Sequence, residues 1–258
     1  MATREITVIC PACKQANISK QGIKNEKQIY RCENPDCSKK YFSESYTNKG
    51  WDPQIRSQVL QMTANGNGTR AIARVLGIAP NTVTAILKEQ AGQIWQINYN
   101  YINEHLGEKL SIDIVSADQI EVSEAEMDEM WSFVHDKSQQ YWLWWAIDHN
   151  TGEPLAFHFG TREHKHLDEL LDLLSAFQLE AIYVDGNYAY ETRFPDEVVP
   201  GKRNTQKIER KHLSLRTWCS RLVRKGIRFS KTHMMHAIVV GFIINIWFFC
   251  RDFTEFVV

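Results

Sequence analysis

In the stretch from Ala181 to Arg216, a short apolar run (Ala181 to Val184) ends in Asp185 and Gly186. Twenty-four positions after Asp185, Glu209 is a lone acid among Lys202, Arg203, Lys207, Arg210, Lys211 and Arg216. A carboxylate just past a strand end and a second on a basic helix fit a divalent cation held against a polyanion. Magnesium takes oxygen ligands, typically carboxylates together with substrate phosphate, and Lys and Arg supply the counter-charge for that phosphate. The plainer reading is a turn Asp and a Glu paired with its helical neighbours, so the elements around them must decide.

A first carboxylate is expected on an earlier strand. Met127-Asp128-Glu129-Met130-Trp131 offers Asp128, which alternation places on the face of Met130 and Ser132, with Glu129 opposite. Glu126 and Glu129 stand close by in sequence as alternatives. Asp148 competes for the same position, but it opens a turn where Asp bonds locally, and it reads as structural. Asp128, Asp185 and Glu209 could then converge on two Mg²⁺ ions (or Mn²⁺) that clamp the attacking and leaving oxygens of an in-line phosphoryl displacement.

The strands that would carry them follow from pattern. Met127–Val134, Tyr141–Ile147 and Leu155–Phe159 are aromatic and β-branched runs separated by turn-like segments, an antiparallel meander. A helix over 162–178 with Leu167, Leu170, Leu171, Leu174 and Phe177 on one face precedes the strand ending at Asp185. That order opens a ribonuclease-H-like mixed sheet flanked by helices. A long helix over 204–225, capped by Asn204 and ended by Gly226, puts Glu209, His212 and Arg216 on one side. There His212 and Arg216 are candidates for the scissile phosphate, with an ordinary helix-surface role as the alternative. The last helix, about 231–251, is apolar nearly all round and is expected to be buried or in an oligomer contact.

The first half reads as two binding modules. Cys10-Pro-Ala-Cys13 and, after eighteen residues, Cys32 to Cys37 provide two thiolate pairs suited to one tetrahedral Zn²⁺. So small a segment would depend on the metal to fold. Four of six cysteines in two close pairs favour metal over disulfides and a reducing compartment. Residues 54–90 then show three helical segments. Thr69 is the expected cap of the second, and Asn81, Thr82 and Thr84, followed by Lys88, are exposed on the third, matching a helix-turn-helix whose last helix enters the major groove. The alternative is a three-helix core with no DNA role.

The net charge of −1 hides an uneven distribution. Residues 1–100 carry 13 Lys and Arg against 7 Asp and Glu, residues 101–200 carry 5 against 21, and residues 201–258 carry 12 against 3. Basic ends around an acidic middle point to anion-binding surfaces and a cation-holding centre. The N-terminus lacks the apolar core of a signal peptide, and the most apolar run, 237–250, is too short to span a bilayer, so a cytoplasmic, DNA-associated protein with no membrane partner is expected.

The ribbon, the helix-turn-helix and a catalytic half with MDEMW, YVDG and GKRNTQKIERKHLSLR leading to RKGIRFSK together resemble the transposases of the insertion-sequence-one family. The most specific part is Thr-Gln-x-Ile-Glu-Arg followed by Leu-x-Leu-Arg. The resemblance covers essentially the whole chain and implies a D-D-E transposase, carried here to Asp128, Asp185 and Glu209. Such an enzyme binds the inverted repeats at the element's ends, exposes 3′-OH ends and joins them to target DNA. The family often makes its halves from overlapping frames joined by frameshifting; here the chain is continuous. The expected organisation is a zinc ribbon (1–48), a helix-turn-helix (49–92), a linker helix and connection (93–125) and an α/β catalytic domain (126–258). The expected partners are double-stranded DNA, both element ends and target, and further copies of the chain on it. A ribonuclease-H-type nuclease without strand transfer uses the same metals. A zinc-ribbon and helix-turn-helix regulator would leave the carboxylates idle. A tyrosine recombinase would want a late Tyr, and none follows Tyr190.

Overall fold

In the computed structural model the described residues are 7–24, 26–43, 48–106, 122, 124–177, 179–185, 190, 198–201, 203–223 and 225–256. The chain divides into two compact units, 1–55 and 56–258.

In the first unit β1 (Ile18–Lys24), β2 (Lys27–Cys32) and β3 (Tyr41–Ser43) form an antiparallel sheet in that order. Its buried apolar residues are few. Tyr30 stacks on Phe42 with ring centroids 5.7 Å apart, beside Cys10, Cys32 and Cys37. That is too little apolar surface to hold some forty residues folded unaided.

The second unit begins with three helices, α1 (Pro53–Ala64, entering from the first unit), α2 (Thr69–Leu76) and α3 (Pro80–Glu89). Thr69 does not cap α2. It is the first helical residue, and Gly68 stands at the cap without a side-chain bond. Val59, Leu60, Ile72, Val83, Ile86 and Leu87 recur at helical spacing and are buried. They share one core with the last helix, α7 (His233–Trp247), and with the sheet. This explains why α7 is apolar all round: the three helices cover one side of it and the sheet another. Its one buried amide, Asn245, is satisfied by the Trp95 backbone, with Nδ2 donating to Trp95 O and Oδ1 accepting from Trp95 N, each at 2.9 Å. Between α3 and the sheet, α4 (Tyr99–Leu106) packs through Tyr101 and Ile102 into the sheet's other core.

The sheet has five strands: β4 (Glu124–Val134), β5 (Asp136–Asp148), β6 (Pro154–Gly160), β7 (Ala181–Val184) and β8 (Val198–Pro200). The spatial order is β6-β5-β4-β7-β8. β4, β5 and β6 are an antiparallel meander; β7 runs parallel to β4, and β8 parallel to β7. α5 (His164–Leu174) is the crossover that a parallel β6-to-β7 return needs, and it buries Leu167, Leu170 and Leu174 on one face. α6 (Gln206–Trp218) covers the opposite face. It is shorter than expected. Thr205, not Asn204, stands at its start, and it ends at Cys219 before a 3₁₀ turn over Ser220–Leu222, well short of Gly226. Among the described residues no helix is long and apolar enough to cross a membrane.

Candidate functional site

Alternation along β4 sorts its acids between two environments. Glu126 and Asp128 share the face of Met130 and Ser132 and meet α6, whereas Glu129 points to the α5 side. Asp128 Oδ1 accepts the Glu129 amide at 2.8 Å, and Oδ2 lies 3.3 Å from His212 Nδ1 on α6. His212, expected at the helix surface or on DNA, is buried against this carboxylate, and its Nε2 has no hydrogen-bond partner.

β7 brings the second acid. The parallel register pairs Glu124 with Ala181, Ala125 with Ile182 and Glu126 with Tyr183. Continued two residues, the same register sets Asp185 beside Asp128. The buried Tyr190 hydroxyl feels both. Burial pushes it well above its ordinary value, and the charges of Glu129, Asp128 and Asp185 add to the shift. Asp185 is exposed at the strand end.

The third acid, Glu209, is exposed on α6, one turn before His212. With Arg203, Gln206, Arg210 and Leu213 it lines an open depression of about 530 Å³. The helix is seated by Glu126, which the sequence offered as an alternative first carboxylate. Glu126 is buried; its Oε2 accepts the Ile208 amide at 3.0 Å in the first turn of α6, where backbone N–H groups lack helical partners, and its Oε1 lies 3.0 Å from His149 Nδ1. Glu129, 5 % exposed, pairs with Arg162 at 2.9 Å and accepts the Tyr190 hydroxyl at 3.1 Å; burial pushes its carboxyl up against both. Asp148 has its oxygens occupied by the Tyr101 hydroxyl, the Thr151 hydroxyl and the Asn150 amide.

The basic residues around Glu209 separate into two groups. Arg203 and Arg210 are exposed. Lys207 donates to the His149 and Asn150 carbonyls of the β5–β6 turn, and Lys211 lies over the Phe248 ring at 5.6 Å, its ammonium pKa lowered by burial. Arg216 is half-buried, and Lys202 lies outside the described residues. On α3, Asn81 and Lys88 are exposed, and Thr82 and Thr84 are half-buried.

Among the described residues, possible metal-ligand atoms gather within 4.8 Å in two groups, and the three carboxylates are not one of them. The first group is Cys10, Cys13, Cys32 and Cys37. Their sulfurs stand 3.7 Å (Cys10–Cys37) and 3.6 Å (Cys13–Cys32) apart. Four sulfurs each about 2.3 Å from one zinc would stand about 3.8 Å apart, so the thiols fit that ion without rearrangement. The Cys13 amide helps bring the Cys10 thiol down to about 6, while burial pushes Cys32 up to about 12. The second group is His158, His166 and Glu169, which the sequence reading missed. Its signal was available: His and Glu three apart on a helix share a face, and a third ligand sits on the strand just before.

Residues 121–250 match the family model of the IS1 transposase, and residues 45–91 match that of the InsA C-terminal domain, a helix-turn-helix. The insertion element IS1 protein InsB of Shigella flexneri is 44% identical over 123 residues, 47% of this chain and 94% of that protein. The iso-IS1n protein InsB of Shigella dysenteriae is 44% identical over 117 residues, 45% of this chain and 89% of that protein. An IS1 protein InsB of Escherichia coli K12 is 42% identical over 123 residues, 47% of this chain and 74% of that protein. With a DNA-binding helix-turn-helix and a transposase domain in one chain, the protein belongs to the IS1 transposase family and is a DNA transposase.

Proposed function

We propose that the transposase is of the D-D-E type, with Asp128, Asp185 and Glu209 as its catalytic carboxylates and Mg²⁺ (or Mn²⁺) as its metal. The observation that supports this is the parallel β4–β7 register, which pairs Glu126 with Tyr183 and, continued two residues, would bring Asp185 beside Asp128, together with the His212–Asp128 contact between β4 and the helix that carries Glu209. The strand order and the face taken by α6 support a ribonuclease-H-like fold. All three donors are carboxylate oxygens, and two are exposed, which suits a hard cation that keeps part of its water and shares phosphate oxygens. When bound, such ions stabilise charge on the attacking and leaving oxygens of an in-line displacement.

The chain's own groups do the rest. His212 holds Asp128 in one orientation, Glu126 anchors the start of α6, and Arg203 and Arg210 meet the phosphate backbone around the cleaved bond, joined by Lys202 and Arg216 along the same basic segment, while Lys207 and Lys211, expected on DNA, are held by the β5–β6 turn and the Phe248 ring. Water and then the 3′-OH it exposes are the nucleophiles, so no covalent enzyme–DNA intermediate forms. The zinc ribbon (1–48), held by Cys10, Cys13, Cys32 and Cys37, and the helix-turn-helix (49–92), through Asn81, Thr82, Thr84 and Lys88, bind the inverted repeats. Residues 93–125 connect them to the catalytic domain (126–258), and the enzyme works as a homo-oligomer on element ends and target DNA, in the cytoplasm, where thiolates stay reduced.

Purified protein incubated with Mg²⁺, a labelled end-bearing duplex and plasmid is expected to yield nicked ends and joined products. Nicking without joining would make it a nuclease, and neither product, with intact end binding, would remove the catalytic reading.

A further inference from the structure

The second ligand group lies at the sheet edge opposite β8. β6 is the edge strand there, two strands from β4, and α5 packs on it. His158 points from β6 toward α5, where His166 and Glu169 share a face. His158 Nε2 lies 3.0 Å from His166 Nδ1 and 3.4 Å from Glu169 Oε2. Gly160, on the same strand face as His158, is where the His166 ring sits: a Cβ there would overlap the imidazole.

Hydrogen bonding gives His158 Nε2 one partner at a time: a neutral imidazole nitrogen either accepts from His166 Nδ1–H or donates its single hydrogen, so one of its two close neighbours is left without a bond to it. A cation at the centre would accept a lone pair from each of the three atoms. Ligand atoms about 2.0–2.1 Å from a tetrahedral zinc stand about 3.3–3.4 Å apart; the 3.4 Å separation to Glu169 matches this, and the 3.0 Å between the imidazole nitrogens would open slightly around the ion. Two imidazoles and one carboxylate select a borderline metal over magnesium.

We propose that His158, His166 and Glu169 bind one zinc-class transition-metal ion, with water at the fourth position, and that this ion clamps α5 to the edge strand. The site is separate from the cysteine cluster and from the carboxylates of β4, β7 and α6.

The test uses full-length protein purified without chelator, equilibrated with Zn²⁺ and dialysed into metal-free buffer. Elemental analysis is expected to give the parent about one zinc equivalent more than His166→Gln or Glu169→Gln. Added Zn²⁺ is expected to raise the Tm of the sheet unit in the parent and not in either variant. Zinc content and thermal response equal in parent and variants would overturn the proposal. His158→Asn removes a largely buried ring; if it fails to fold, Glu169→Gln decides, because that side chain is 56% exposed. DNA cleavage is not a readout, so this outcome is independent of the D-D-E reading.

Discussion

In the N-terminal unit four thiols lie in pairs 3.6 and 3.7 Å apart, under three short strands with little else to bury. In the larger unit three carboxylates stand farther apart, on two strands and a helix that rest on a core of tryptophan, phenylalanine and branched aliphatic side chains. A thiol that keeps its proton, as burial makes Cys32 do beside Cys13, can close on its neighbours before a metal arrives, whereas ionised carboxylates repel at short range. On the proposed function, the first cluster would hold a fold together and the second would leave room for a phosphate. A scaffold stable without its metal can keep its acids open to solvent.

The largest effect expected is on chemistry. Glu209→Gln keeps shape and removes the charge, and cleavage of a labelled end duplex, in Mg²⁺ and in Mn²⁺, should fall by about 10³-fold or more, with gel-shift affinity for ends retained. Asp185→Asn and Asp128→Asn should match it. Cleavage by Glu209→Gln within a few-fold of the parent would reduce Glu209 to a solvated helix residue.

Chelation probes the other side of the comparison. Structural zinc contributes about 10–16 kcal/mol in small metal-folded domains. Chelator should therefore unfold the ribbon, seen as rapid proteolysis within residues 1–48, while the 56–258 unit stays folded and loses only the Tm increment that added Zn²⁺ gives it. A ribbon that stays protease-resistant without metal would abolish the contrast.

On the binding surface, Asn81→Ala should cost about 1–3 kcal/mol of preference for element ends over random DNA. Equal loss on both would mean that α3 does not read bases.

The remaining effect concerns acid. His236 is buried between the Ser132 and Ser230 hydroxyls, and its pKa is held down to about 3, chiefly by burial, with Arg221 and His233 adding to it. Unfolded, it would titrate near its ordinary value of about 6.5. Between those values the unfolded chain binds the extra proton, so stability is complete above about pH 6.5 and falls as pH drops toward 3, by up to about 1.4 kcal/mol per pH unit. Denaturant melts of His236→Gln between pH 7 and 4 should show a shallower decline than the parent; parallel curves would remove His236 as the cause.

Much of this architecture could be read from residue order. Alternation in Met127–Val134 placed Asp128 correctly relative to Glu129, and the Leu spacing of α5 marked its buried face, because each depends on local periodicity. The tertiary partners were not legible. Nothing local in Glu126 says that it caps a helix eighty residues away, and nothing in Lys207 or Lys211 says that their charges rest on a turn and a ring while Arg203 and Arg210 stay free to meet solvent. His212 looked like a surface residue because its helix is basic; only the docking of α6 on β4 buries it. The helix ends failed for a similar reason, since Asn204 and Gly226 are strong local signals that the tertiary path of the chain overrides.

The turn between α1 and α2 is Asn65-Gly66-Asn67-Gly68. In the fold Gly66 has φ of 77° and lies against the Trp218 carbonyl at the end of α6, where a Cβ would collide, and Trp247 Nε1 donates to Ala64 O at 2.9 Å. The helix expected to read bases and the helix bearing Glu209 are thereby tied into one frame, and on the proposed function that frame would act on DNA as a caliper. Each base pair inserted between the read sequence and the cut advances the phosphate by about 3.4 Å and turns it by about a tenth of a revolution. Five inserted pairs would present the opposite side of the duplex to Glu209, and ten would restore the side but overshoot the reach.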